Sequence, residues 1–360
     1  MKRVFITDLE GPISKNDNAF EITANFLPNG DKFFTVLSRY DDILADVFKK
    51  PGYKAGDTLK LILPFLKAYG LTNEKIQEYS AANILLLPMA EKTLQYINQI
   101  MPTYIVSTSY EQFICALCEQ IKFPKENAYC TKLNLDKYKI EKTEIQTLKE
   151  LAGEISRMPI MDIPEKAKSA KDFSERDQKT IKQLNKMFWE KIPKMKIGKI
   201  LKEVNPVGGT EKANVIQEII KKTGTKPSDI MYVGDSITDV PAFQKTKKGG
   251  GLAVSFNGNS YAIREAEIAV MSDTTLPTSI LADTFNNLGK NGVVKLVKQW
   301  SLNTFKKYRV NKTLQKHAKE LYTKKLPRVE IIIDKNRGKL MQESSDYRKT
   351  VRGIKIGALG

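Results

Sequence analysis

Apolar positions along this chain alternate between two spacings. Short β-branched and aromatic runs at Val4–Thr7 (VFIT), Thr103–Val106 (TYIV), Asp229–Val233 (DIMYV), Leu252–Phe256 (LAVSF) and Ile268–Met271 (IAVM) predict buried strands. Between the first two lies a long stretch at helical spacing, from residue 14 to about 99. There Leu59, Ile62, Leu63 and Leu66 share a face and Gly70 offers a C-cap. Thr72 or Asn73 caps the next helix, through Ile76 and Tyr79. Another starts at Pro88-Met89-Ala90, carries Leu94 and Ile97 and closes at Met101-Pro102. After Val106 the hydroxyl triplet Ser107-Thr108-Ser109 turns the backbone into a helix carrying Phe113, Leu117 and Ile121. A strand passing into a helix through small residues offers N–H groups and hydroxyls to an anion.

From about Lys139 to Val204 the composition shifts to Lys, Glu and Gln, and Pro159, Pro164 and Pro193 divide the segment into short helices anchored by Phe188 and Trp189. It is expected to be a second helical insertion packed on the core. The basic run Lys182–Lys202 reads as a solvated face. Strand and helix then alternate regularly from Pro206 to Met271. Repeated β-α units imply an α/β, Rossmann-like doubly wound parallel sheet with helices on both faces. The expected organisation is a core of residues 1–14, 100–138 and 204–294, a helical cap 15–99, a helical insertion 139–203 and a basic C-terminal extension 295–360. In that extension Val293, Leu296, Val297, Trp300, Leu302 and Phe305 are expected to dock part of the chain on the core, and Val329–Ile333 to add a strand. His317, the chain's one histidine, reads as an exposed and incidental residue.

Composition narrows the picture. Hydrophobic content of 41% and charged content of 28% describe a globular chain able to bury a core. No apolar run approaches the ~20 residues of a membrane span, and no membrane insertion is expected. The first strand begins too early to leave room for a signal peptide. Three cysteines, Cys115, Cys118 and Cys130, suit a reducing cytoplasm and helix-face packing. The balance of 59 basic against 41 acidic residues gives +18, which draws anions without choosing among them.

The candidate chemistry sits at strand ends. Asp8 and Glu10 follow the first strand, so two carboxylates at i and i+2 project from the carboxyl edge of a sheet, where open parallel sheets bind ligands. Asp235 and Asp239 follow the third, and Lys212 lies in the first turn of a helix. The stretches FITDLEG, YIVSTS, GGTEK and VGDSITD, in this order and on these elements, resemble the four motifs of the haloacid dehalogenase superfamily. The resemblance covers residues 1–14, 100–138 and 205–275.

It implies a Mg²⁺-dependent phosphatase acting on a small phosphorylated metabolite, with Asp8 as nucleophile. Mg²⁺ would be held by Asp8, the Glu10 backbone carbonyl and Asp235, with Asp239 orienting them from behind. Ser107 and Lys212 would grip the phosphoryl oxygens, with the N–H groups near Leu9 and Thr108 as further donors. Glu10 departs from the family's commonest aspartate; it would protonate the leaving oxygen and later deprotonate water.

The DLEG opening, with Tyr110-Glu111 after Ser107, is similar to the phosphoserine phosphatase/homoserine phosphotransferase group, and a cap between the first two motifs matches the phosphoserine-phosphatase-like branch. The 139–203 insertion and the tail resemble an archaeal family labelled as the R subunit of energy-converting hydrogenase A. Two alternatives follow. One is an accessory subunit with weak or no catalysis that binds an acidic protein partner. The other is a phosphatase associated with nucleic acid through residues 295–328, where eleven basic residues face the single acid Glu320.

Overall fold

The computed structural model describes residues 2–323 and 325–359. Its centre is one seven-stranded sheet of β1 (Val4–Thr7), β2 (Thr103–Tyr110), β3 (Ala128–Thr131), β4 (Ile230–Gly234), β5 (Leu252–Phe256), β6 (Ile268–Met271) and β7 (Arg328–Ile331), in the order β3-β2-β1-β4-β5-β6-β7. All neighbours run parallel except β6 and β7. The chain therefore starts in the middle, builds outward through β2 and β3, and crosses to β4 on the other side of β1. That reversal opens a crevice at the carboxyl ends of β1 and β4. Ile6 pairs with Tyr104 on one side and Tyr232 on the other.

Alternation along the strands assigns the two faces. Phe5, Ile105, Met231, Val233 and Val254 point into an apolar layer shared with Leu94, Leu117, Ile280 and Leu296. Val4, Ile6, Tyr232 and Ala253 point the other way, onto Ile216, Phe243, Ile263 and Leu340. The residues of both layers are buried, so the sheet is covered on each side, as a parallel sheet requires.

A third apolar cluster forms the roof. Phe33, Leu37, Phe65 and Leu66 from the first helical stretch pack with Leu148, Ile155, Leu184, Phe188 and Ile200 from the second. The two helical stretches thus share one core. Phe188 lies against both Tyr40 and Phe65. The roof is tied to the sheet by Tyr110, whose hydroxyl donates to the Leu59 carbonyl.

Three features differ from the sequence expectation. The strand β2 does not end at Val106 but runs to Tyr110, with an irregular register against β3 between Val106 and Tyr110. Its extension is held by β3, a strand of Ala, Tyr, Cys and Thr too short and too mixed to show a period of two. His317 is half-buried, not exposed.

The tail is built into the fold. Val293, Leu296 and Phe305 are fully buried, and β7 closes the sheet edge. The long helix Asp334–Arg352 then crosses back with Leu340, Ser344, Arg348 and Arg352 on its inner face. Among the described residues no helix is long and apolar enough to cross a membrane.

Candidate active site

The β1–β4 crevice holds the site. Beyond Thr7 the pairing continues for one residue, with Asp8 N–H donating to the Val233 carbonyl at 2.8 Å. Asp8 is thereby fixed at the end of β1, and its Oδ1 accepts from the Leu9 N–H at 2.7 Å. Gly11 follows at φ +103°, where a Cβ would lie 2.0 Å from Asp235 Oδ2. Only glycine lets this loop press against the β4 carboxylate.

Lys212 rises from the first turn of the helix Thr210–Thr223 and is completely buried. Its Nζ donates to Asp8 Oδ2 at 2.6 Å and Asp239 Oδ1 at 2.7 Å. Burial alone would depress this ammonium; the Asp239 and Asp8 charges outweigh it and hold it above its ordinary range. Asp239 also accepts from the Tyr232 hydroxyl and from the N–H groups of Asp235 and Ser236. Burial opposes its charge, but Lys212 and these donors keep it below the usual carboxylate range. Asp239 therefore braces Lys212 and the β4 turn. Asp8, by contrast, is raised to about 7, mainly by burial.

Carboxylate oxygens of Asp8, Asp235 and Asp239 lie within 4.8 Å of one another. Hard oxygen donors of this kind suit Mg²⁺. Among the described residues the Glu10 carbonyl receives no hydrogen bond, which leaves it free for a cation. The donor set therefore fits the expected ion.

The Glu10 side chain turns to the start of the helix Asn18–Phe26, where Oε1 accepts the Asn18 N–H at 2.7 Å. Burial, reinforced by Asp17, pushes its carboxyl well above the ordinary range. The protonated form of Glu10 is thus favoured, and its carboxyl lies in the wall of the cavity.

That cavity, of about 90 Å³, lies between sheet edge and roof and is lined by Asp8, Glu10, Asp235, Thr108 and Ser109 below and by Phe34, Asp41, Asp42 and Leu59 above. It falls below the ~300 Å³ at which ordinary ligand pockets begin. Thr108 Oγ1 is buried without a partner. Ser107 is not in the wall: its hydroxyl sits beneath, accepting the Ser109 N–H at 3.3 Å. Thr108, expected to offer its N–H, lines the space, and so does Ser109.

The residues that sequence reasoning missed come from the tail. Arg348 and Arg352 line the same cavity, and both donate to Asp235 Oδ2, Arg352 at 3.2 Å. Burial raises the Asp235 carboxyl and the two arginines pull it back; the net direction is upward. A signal existed, since Leu340, Ser344, Arg348 and Arg352 recur every four residues on one helix face.

No known family profile and no curated protein match the chain. A solved gene product from Archaeoglobus fulgidus matches over 100% of this chain and 99% of its own, at 24% identity and a TM-score of 0.80, and so shares its fold. Phosphoserine phosphatase in its apo form matches 76% of this chain and 96% of its own, at 14% identity and a TM-score of 0.45. A substrate-bound phosphoserine phosphatase complex gives 15% identity and the same TM-score of 0.45, over 76% of this chain and 95% of its own.

Proposed function

We propose that this chain is a haloacid dehalogenase-type phosphatase that hydrolyses a small phosphomonoester. The observation that carries the reading is the meeting of the Asp8, Asp235 and Asp239 carboxylates at the strand ends, where Asp8 and Asp235 line the roofed cavity and Lys212 and Asp239 lie buried outside its wall, Lys212 bonded to Asp8. A carboxylate can attack a phosphoryl group only where the charge on its oxygens is neutralised and the group is held in line.

Asp8 is the nucleophile; its carboxylate oxygen bonds to phosphorus as the ester oxygen departs, giving an aspartyl phosphate. Glu10, whose protonated form burial favours, gives its proton to that leaving oxygen. The resulting carboxylate then takes a proton from the water that cleaves the intermediate. Lys212 neutralises charge beside Asp8, and Thr108 and Ser109 offer hydroxyls to the phosphoryl oxygens. Bound Mg²⁺, held by Asp8, Asp235 and the Glu10 carbonyl, would supply further neutralisation of the transferred group. The roof excludes water until the ester bond has broken.

A phosphate-release screen over small phosphomonoesters, wild type beside Asp8→Asn with and without Mg²⁺, tests this. Mg²⁺-dependent release lost in the folded variant is expected; equal release by the variant would remove Asp8 from the chemistry.

One observation favours a second reading, an accessory protein with weak or no catalysis: Asp235 is already held by two arginines. Under that reading no ester in the screen is turned over. Lys306, Lys307, Lys312, Lys316 and Lys319 are exposed and suit an acidic partner or nucleic acid.

A further inference from the structure

The last long helix ends inside the site. Arg348 is only 3% exposed, yet among the described residues its one carboxylate ion-pair partner is Asp235 and its Nε is buried without a partner. Its Nη1 also donates to the Asp235 carbonyl at 3.2 Å. Arg352 adds a second guanidinium on the same Oδ2 and donates from Nε to the Lys15 carbonyl at 3.1 Å. The Gly11 backbone presses on that oxygen from the other side. Among the described residues Asp235 Oδ2 is thus crowded by two guanidinium groups and the Gly11 turn.

Charge points the same way. Asp8, Asp235 and Asp239 are paired with Lys212, Arg348 and Arg352, and Asp17 lies close to both arginines. A divalent cation placed among them adds two positive charges, the same number that the arginine pair supplies. Buried like charges this close repel strongly.

We infer that a divalent cation and the Arg348 guanidinium exclude one another at Asp235, so that filling the site releases the C-terminal helix. The inference rests on the reading of Asp235 as a cation ligand. Release would also reach the roof. Beyond Gly353, at φ +84°, the chain runs on to Leu359, which is buried in the roof's apolar cluster and lines the cavity. Lys355 Nζ meets Asp31 of the roof at 2.7 Å. The segment 344–359 therefore straps the roof down while the arginines hold Asp235; the cation frees that strap and leaves the roof to close over substrate through its own core.

The test uses the full chain. Calorimetric titration with Mg²⁺ compares wild type, Arg348→Gln, Arg348→Lys and Asp235→Asn, and hydrogen exchange of residues 344–359 is followed in the wild type with and without Mg²⁺. Arg348→Gln is expected to bind Mg²⁺ more tightly by about 5- to 150-fold, the range of ordinary coupling between sites. Arg348→Lys should fall between it and wild type, and Mg²⁺ should speed exchange across 344–359. If Asp235→Asn abolishes binding but Arg348→Gln leaves affinity unchanged and exchange does not respond, the exclusion is overturned while Asp235 stands as a ligand. If Asp235→Asn binds as wild type does, the ligand assignment itself falls and the inference with it.

Discussion

Lys212 Nζ lies 2.6 Å from Asp8 Oδ2, joining residues 204 positions apart in a fully buried ion pair. The lysine spans Asp8 and Asp239, so its loss would strand two carboxylates out of water. Lys212→Met is therefore expected to destabilise the chain by about 3–5 kcal/mol, the cost of breaking a buried pair from one side. Urea unfolding beside wild type measures this; an unchanged midpoint would show that the pair contributes nothing to folding.

Asp8→Asn removes the attacking carboxylate while keeping size and hydrogen-bond reach. Phosphate release should vanish with thermal stability changed by less than the Lys212→Met loss, because the lysine keeps Asp239 at 2.7 Å. Calorimetric unfolding and a phosphate assay on one preparation separate the two effects.

Gly11→Ala would put a methyl group where Asp235 Oδ2 now lies, at a backbone φ of +103°. The strained conformation alone costs roughly 1–3 kcal/mol. The carboxylate must also move, so Mg²⁺ affinity should fall with stability. Titration of the variant with Mg²⁺ checks the displacement; wild-type affinity would show that the loop yields instead.

Stability should fall as pH rises. Burial pushes Asp41 from 3.8 to about 8, and Asp42 to about 7. The folded chain then holds protons that the unfolded chain has released, so their contribution is complete below the unfolded value and is lost as pH climbs through the folded one. The urea midpoint should be lower at about pH 8 than at about pH 5, and Asp41→Asn should narrow the gap. A midpoint that rises over this interval would contradict the burial of these carboxyls.

Removing 334–360 takes away both arginines and the buried Leu340, and leaves Asp235 beside Asp239 without its two cationic partners. A loss of about 3–5 kcal/mol is expected from breaking that buried pairing from one side, read as a drop in thermal midpoint. Truncation at 295 would in addition remove β7 and Phe305 from the core, so nucleic-acid binding is better tested by charge reversal of the exposed lysines.

Much of this site was legible along the chain because its parts sit where local rules place them. A β-branched run followed by a carboxylate and a glycine marks a strand end whatever surrounds it, and so Asp8, Asp235 and Lys212 could be assigned to elements before any packing was known. Ser107 and Ser109 could not be told apart in this way. The strand continues through both, and alternation alone would set them on one face; across the irregular register against β3 between Val106 and Tyr110, Ser109 lines the cavity and Ser107 does not.

The linear order of residues by itself determined every strand but β3, the limits of several helices, the parallel α/β class and the acidic residues at strand ends, since these follow from periods of two and 3.6 and from short-range breakers. Only the tertiary structure decided that two helical stretches merge into one roof, that β3 extends β2, and that Arg348 and Arg352 meet Asp235 more than a hundred residues away. Such contacts depend on which faces find one another after the strands have paired, and charge on a helix reads the same whether it will face water or a buried carboxylate.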